Sequence, residues 1–180
     1  MKFEILHTER LLLKKFSPEA FTYVFANYSK EEIKKQLGLN SEEDFIREQK
    51  KAEGGYRTYD RSIAHFKLIL KETGQVIGGA GFHNWYAMHK RAEIGYMMYK
   101  EDFRRKGYME EAVRKILDYG FNTMELMRIE ATISPTNDAS LNLIRKFGFK
   151  QEGLLRNHYI HEGIIQDSVI FGLLKEEYST

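Results

Sequence analysis

The sequence predicts an α/β chain of the α+β kind, and three observations carry that reading. A hairpin pattern runs from Ile63 to Phe82. Amphipathic helical stripes recur before and after it. The stretch Ala92 to Val113 joins a strand to a helix through a short, basic, glycine-containing loop. The 180 residues are read as one domain, 1–180, with enough interior for a sizeable core. Hydrophobic content of 42% and charged content of 30% match a folded soluble chain rather than a disordered or membrane one. The N-terminus, MKFEILHTER, lacks the apolar core and small-residue cleavage site of a secretory signal. The chain has no cysteine, which excludes disulfides, thiol catalysis and thiolate metal sites and fits a cytoplasmic location. A net charge of +2 is too small to argue for nucleic acid, so a local basic loop for a small polyanion fits better.

Taken in order, Glu9 to Phe16 reads as a strand, after which Ser17-Pro18-Glu19 starts a helix with proline at its first position. Phe21, Val24, Phe25 and Tyr28 then fall on one helical face. A second helix is expected over Lys30 to Leu37. A third, capped by Asn40 or Ser41 and ending at Gly54-Gly55, is charged enough to lie on the surface, with Phe45 and Ala52 among its inward residues. Ile63 to Leu70, the KETGQ turn and Val76 to Phe82 form an antiparallel hairpin. Gly78, Gly79 and Gly81 in its second arm point to close packing or a bulge. Trp85 to Arg91 reads as a loop and Ala92 to Tyr99 as a strand. Met109, Ala112, Val113, Ile116, Leu117, Phe121 and Met124 make an apolar stripe, with Glu110/Arg114 and Glu111/Lys115 pairs on the other face. Arg128 to Ile133 is expected as a strand and Asp138 to Phe147 as a helix closed by Gly148. Phe149 to Tyr159 and Gln166 to Leu174 complete the strands.

The loop after Tyr99 has the makings of an anion site. Backbone N–H groups at a helix N-terminus have no partner and carry partial positive charge, so they can receive phosphate oxygens. Arg104, Arg105 and Lys106 add cationic charge, and Gly107 permits close approach or an unusual backbone conformation. On these residues alone, an ordinary strand–helix connection with solvated basic side chains fits as well.

The spacing resembles the acyl-CoA-binding motif of the GNAT superfamily of N-acetyltransferases, [Arg/Gln]-x-x-Gly-x-[Gly/Ala]. Arg104 and Gly107 stand in register, and Met109 occupies the place of the small residue. Thr8-Glu9-Arg10-Leu11 with Leu13, Ala92-Glu93-Ile94-Gly95-Tyr96, Asn137-Asp138-Ala139-Ser140 and Lys146-Phe147-Gly148-Phe149 resemble the RimJ/RimL-like branch, named for ribosomal-protein N-terminal acetyltransferases. The resemblance implies a mixed, mostly antiparallel sheet with helices on both faces. It also implies a parallel strand pair, through Ile94 to Met98 and Arg128 to Ile133, that splays to admit the pantetheine arm of acetyl-CoA.

The same resemblance places Arg104, Arg105, Lys106, Gly107, Tyr108 and Met109 at the pyrophosphate, and backbone of Met97 and Met98 along the pantetheine. Met97 and Met98 also fit as edge-strand core residues. Transfer to an amine needs a base, because near neutral pH the amine is mostly ammonium. Glu93 stands where many family members carry that base, and it also fits as a surface salt bridge. The tyrosine that serves as acid in many members is replaced by Ile144, and the branch resemblance puts Ser140 in that role. Asn137 is expected as a cofactor contact, although Asn and Ser are also common helix caps.

The histidines, among them His65, His83, His89, His158 and His161, show no metal-ligand spacing, so no metal is expected. His158, Tyr159, Trp85 and Tyr86 are secondary candidates for touching the acceptor. The expected partners are acetyl-CoA and an amine, with a protein N-terminal α-amine favoured. Polyamines, amino acids or antibiotics remain open, as does a non-catalytic acyl-CoA-binding module.

Overall fold

The structure, a computed structural model, describes residues 1–58, 60–161 and 163–178. Strands β1 Ile5–His7, β2 Leu11–Phe16, β3 Ser62–Leu70, β4 Val76–Tyr86, β5 Arg91–Met98, β6 Arg128–Ile133, β7 Lys150–His161 and β8 Ile164–Leu174 join in one sheet. Their order is β1-β2-β3-β4-β5-β6-β8-β7. Five α-helices accompany them among the described residues: α1 Pro18–Asn27, α2 Lys30–Leu37, α3 Glu42–Gly54, α4 Tyr108–Asp118 and α5 Asp138–Lys146. Every neighbouring pair of strands is antiparallel except β5 with β6. This is the mixed sheet that the resemblance implied.

The period-two alternation of the strands divides the apolar side chains between two faces. Ala64, Phe66, Leu68 and Leu70 of β3 meet Ala112, Val113, Ile116 and Leu117 of α4 and Leu141 and Ile144 of α5 in the larger core. Phe16, Ala20, Phe21, Val24, Ile33 and Leu37 form a second cluster with α1 and α2, against which Ile63 and Phe45 pack. Each N-terminal helix is started by a serine. Ser17 accepts from the Ala20 N–H, Ser29 forms a reciprocal pair with Glu32, and Ser41 rather than Asn40 accepts from the Asp44 N–H.

The parallel pair is short. Its register consists of Arg91↔Arg128, Ala92↔Ile129 and Glu93↔Glu130, after which the remainder of β6 pairs with β8 and the remainder of β5 with β4. Among the described residues, the edge of β5 from Ile94 to Met98 that faces β6 therefore has no strand partner. The in-register carboxylates are partnered separately. Glu130 accepts from Arg91 at 3.0 Å and Arg128 at 2.9 Å, and Arg128 also grips Glu152 on β7.

Several expectations are corrected. The first strand begins at Leu11, and Ile5–His7 adds an outer strand. The second hairpin arm does not stop at Phe82, and Trp85 and Tyr86 are not loop residues. β4 continues to Tyr86, past a register shift between His83 and Tyr86 where Asn84 takes φ +46°. A single turn at Ala87–His89 then leads into β5. The helical stripe through Met124 is two pieces, because α4 ends at Asp118 and Tyr119–Thr123 continues as a π-helical turn. That wider turn still buries Phe121. The Glu111/Lys115 pair is replaced by a contact with Thr8 and Arg10, described below, whereas Glu110 and Arg114 stand 3.7 Å apart as expected. Helix α5 ends at Lys146, and the last two strands run Lys150–His161 and Ile164–Leu174.

The glycines of β4 serve close packing, as the sequence indicated. A Cβ on Gly78 would stand 2.7 Å from the Met97 carbonyl oxygen. Gly81 takes φ +153°, and a Cβ there would strike the Ala64 carbonyl. Gly81→Ala is therefore expected to destabilise the fold by about 1–3 kcal/mol, the usual range for overpacking, measured by equilibrium denaturation against wild type.

Candidate active site

Where β5 and β6 part, two cavities meet. The first, of about 550 Å³, is lined by Met97, Met98, Arg104, Arg105, Gly107, Tyr108, Met109, Asn137 and Ser140. The second, of about 600 Å³, is lined by Glu93, His83, Asn84, Thr132, Leu155, His158, Tyr159, Gln166 and Asp167. Tyr96, Asn137 and Ser140 belong to both walls. The fold thus gathers nearly all the expected site residues at one gap. Lys106 is the exception, since it is absent from the first cavity's lining and its carbonyl faces Arg10. Trp85 is also displaced, packing against the larger core. Tyr86 takes the Arg91 guanidinium 4.1 Å from its ring centroid. The side chain of His161 lies outside the described residues.

The loop before α4 alternates unusual backbone conformations, with Arg105 at φ +59° and Gly107, the N-cap, at φ +79°. Successive N–H groups in such a turn can converge on an anion. The loop is held from behind by the Thr8-Glu9-Arg10-Leu11 segment. Glu111 Oε1 accepts from the Thr8 hydroxyl at 2.5 Å and from the Arg10 N–H at 2.7 Å, while Glu111 Oε2 accepts from Arg10 Nε at 2.7 Å. Arg10 Nη1 donates to the Lys106 carbonyl at 2.9 Å, and its guanidinium lies 4.5 Å from the Tyr108 ring centroid. In a trans peptide the carbonyl and the following N–H point in opposite directions. Drawing the Lys106 oxygen toward Arg10 therefore turns the Gly107 N–H away from it. Met109, which replaces a small residue of the motif, packs its side chain against the larger core.

Asn137 caps α5, its Oδ1 accepting from the Ser140 N–H at 3.1 Å. Ile144, in the place of the family tyrosine, is fully buried in the core. A tyrosine comes near from another direction, because Tyr96 donates to the Ser140 carbonyl at 3.5 Å. Burial raises the pKa of that phenol, so it stays a donor at neutral pH.

Glu93 sits on the last rung of the parallel pair. Its Oε2 accepts from Asn84 Nδ2 at 3.0 Å and stands 3.4 Å from His83 Nε2. Burial works against its charge, but contacts with His83, Asn84 and Thr132 more than offset this and bring the carboxyl down to about 2. The carboxylate is thus ionised at any physiological pH and is a weak proton acceptor. Sequence reasoning missed His83, Asn84, Thr132 and Tyr96. Only the cross-strand register could have revealed the first two.

The comparisons with known proteins agree with this geometry. Residues 10–150 match the family model described as "Acetyltransferase (GNAT) domain". The chain belongs to the GNAT family of acetyltransferases. This GNAT acetyltransferase is 35% identical to "Uncharacterized N-acetyltransferase p20" of Bacillus licheniformis over 98% of its own length and 99% of that protein's. A crystal structure described as an acetyltransferase of the GNAT family from Bacillus anthracis superposes with a TM-score of 0.68 at 29% identity, covering 97% of this chain and 100% of that one. Two further relatives bear names that specify an acceptor. "Putative ribosomal N-acetyltransferase YdaF" of Bacillus subtilis is 34% identical over 58% of this chain and 57% of its own. "Spermidine N(1)-acetyltransferase" of Escherichia coli is 25% identical over 67% and 66%.

The depressed Glu93 pKa has a consequence for stability. A carboxyl at about 2 in the folded acetyltransferase, against an ordinary 4.5, contributes stability that is complete above 4.5 and lost as pH falls through that window toward 2. Glu93→Gln removes this contribution. The variant is expected to be less stable than wild type at neutral pH and to lose less stability on acidification, as read by denaturant titration across the window.

Proposed function

We propose that residues 1–180, acting as one domain in the cytoplasm, transfer the acetyl group of acetyl-CoA to a protein N-terminal α-amine, as in the RimJ/RimL-like branch. The observation that carries the acceptor class is the rim of the second cavity. Leu155 and Tyr159 line it and are 38% and 61% exposed, and the β7–β8 hairpin beyond them exposes Ile160, Ile164 and Ile165. A peptide can lay the side chains that follow its terminal amine on such an apolar rim. The partial match to the relative named a ribosomal N-acetyltransferase supports the same reading. A polyamine acceptor is the second reading, favoured by Glu93 and Asp167 in the cavity wall and by the relative named for spermidine.

Acetyl-CoA, when bound, supplies an acetyl group activated as a thioester. The free edge of β5 at Met97 and Met98 offers main-chain hydrogen bonds to the pantetheine amides, as in the addition of a strand. Arg105, Gly107, Tyr108 and Met109 present backbone N–H groups to the pyrophosphate, with Arg104 adding charge from the cavity wall. Asn137 positions the first turn of α5 beside the reacting carbonyl, and Ser140 gives a proton to the departing sulfur. Glu93 marks the acceptor side, where the proton of the amine must be taken up.

Mass spectrometry of products from acetyl-CoA with N-terminal peptides, polyamines, amino acids and aminoglycosides tests the acceptor class. Acetylation at a peptide α-amine is expected, and product confined to a polyamine would replace that acceptor. Arg10→Ala should weaken CoA binding about tenfold, the effect of losing a charged hydrogen bond. The loss should be much smaller for acetyl-pantetheine, which has no pyrophosphate. Gly107→Trp should weaken CoA binding further, and calorimetric affinities equal to wild type would remove the loop from the phosphate site.

A further inference from the structure

We infer that His83 is the proton acceptor for the incoming amine and that Glu93 holds its imidazole in place. The inference rests on the acceptor cavity described above, and three features of the fold carry it.

The first is register. His83 on β4 stands directly opposite Glu93 on β5, so both side chains leave the same face of the sheet. The pairing shifts immediately after His83, and Asn84 adopts φ +46°. A bulge at such a place re-aims side chains. Here it brings both the His83 ring and the Asn84 amide to the Glu93 carboxylate.

The second is access. Glu93 is 19% exposed and His83 39% exposed, so the imidazole is the more open member of the pair. The ring lies over Gly95, where a Cβ would stand 2.9 Å from Cε1 and 3.1 Å from Nδ1. With Nε2 turned to Glu93, Nδ1 is the nitrogen left for a ligand, and Gly95 provides the space in which the ring sits.

The third is chemistry. The Glu93 carboxylate already accepts from Asn84 and faces His83 Nε2, which leaves the imidazole, the side chain most often used as a general base, as the group open to the amine. The other ionisable groups around the imidazole do not displace it from this role. His65 on β3 is half-buried, and desolvation pushes it down to about 4, hence neutral at working pH. Asp167 on β8 accepts from the Asn157 N–H. His158 on β7 lies against Tyr159, and Tyr96 is a protonated donor directed at Ser140.

The step balances as follows. Nδ1 takes one proton from the ammonium, freeing the nitrogen lone pair, which forms the C–N bond to the acetyl carbon. The C–S bond breaks, and the second proton shed by nitrogen is matched by the one that sulfur receives to leave as a thiol. The imidazolium, paired with Glu93, returns its proton to solvent.

The test compares His83→Gln, Glu93→Gln and Gly95→Ala with wild type, using any amine that wild type acetylates. His83→Gln should lower kcat by about 10²–10⁴-fold, the range for loss of a general base, with acetyl-CoA affinity within about twofold of wild type. The acid limb of the wild-type rate profile should disappear, and an acceptor whose amine is already neutral at the assay pH should recover most of the loss. Glu93→Gln should cost less than His83→Gln. Gly95→Ala, which keeps both groups but displaces the ring, should resemble His83→Gln. Nitrogen-15 NMR of the ligand-free protein should show the His83 proton on Nε2, and Glu93→Gln should abolish that preference. The NMR arm needs no acceptor, so it separates failure of the dyad from a wrong choice of amine. A His83→Gln variant with near-normal kcat and an unchanged pH profile, beside an inactive Glu93→Gln, would overturn the proposal. So would an Nδ1 proton on His83.

Discussion

The brevity of the β5–β6 pairing is the constraint on which the remaining architecture depends. Parallel strands that stayed in register to their ends would satisfy each other's backbone and leave no entry between them. Here the ladder stops after Glu93↔Glu130. Among the described residues, one edge of β5 from Ile94 to Met98 has no strand partner, and residues of α4 and α5 line the resulting gap. Unpaired backbone at a sheet interior is costly unless something supplies partners. An extended ligand with amides of its own meets that requirement.

The loop that closes one end of the gap is not held by its own sequence alone. Arg105 and Gly107 take left-handed conformations, of which only the glycine does so without strain. The compensation comes from Thr8 and Arg10, which reach Glu111 and the Lys106 carbonyl. Arg10 and Glu111 are 101 positions apart in the chain. Of the two carboxylates in the first turn of α4, which would otherwise compete with a bound phosphate for the positive end of the helix, Glu111 is neutralised by the same contact and Glu110 by Lys146. The start of the chain thus both shapes the loop and sets its charge.

How much of this was legible in the sequence depends on the range of each interaction. Helix α4 was readable from Ala112, Val113, Ile116 and Leu117 because period and burial are local properties. The helix start at Ser17 and, as one of two alternatives, the cap at Ser41 were readable for the same reason, whereas the cap at Ser29 was not read. The outer strand Ile5–His7 is only three residues long and carries too little pattern to be seen. The sequence pattern ends β4 at Phe82 because Trp85 to Arg91 reads as a loop. That error concealed the register in which His83 faces Glu93. The Glu111/Lys115 pairing was a sound local inference overridden by partners from a distant segment. The residues of the loop, β5 and α5 that line the two cavities were legible through the family motif as candidates, whereas the groups that tune Glu93 were not, since each comes from a neighbouring strand.

The two carboxylates of the last rung, Glu93 and Glu130, would repel one another if left alone. Arg91 and Arg128 saturate Glu130 on one side, and Glu152 in turn absorbs the excess charge of Arg128. The ladder acts as an electrostatic shield, so that Glu93 does not feel its neighbour as a full negative charge. The two ends of one rung are thereby insulated from each other. A change of charge on the acceptor side of β5 therefore need not disturb the ion pairs that hold β6 to β7.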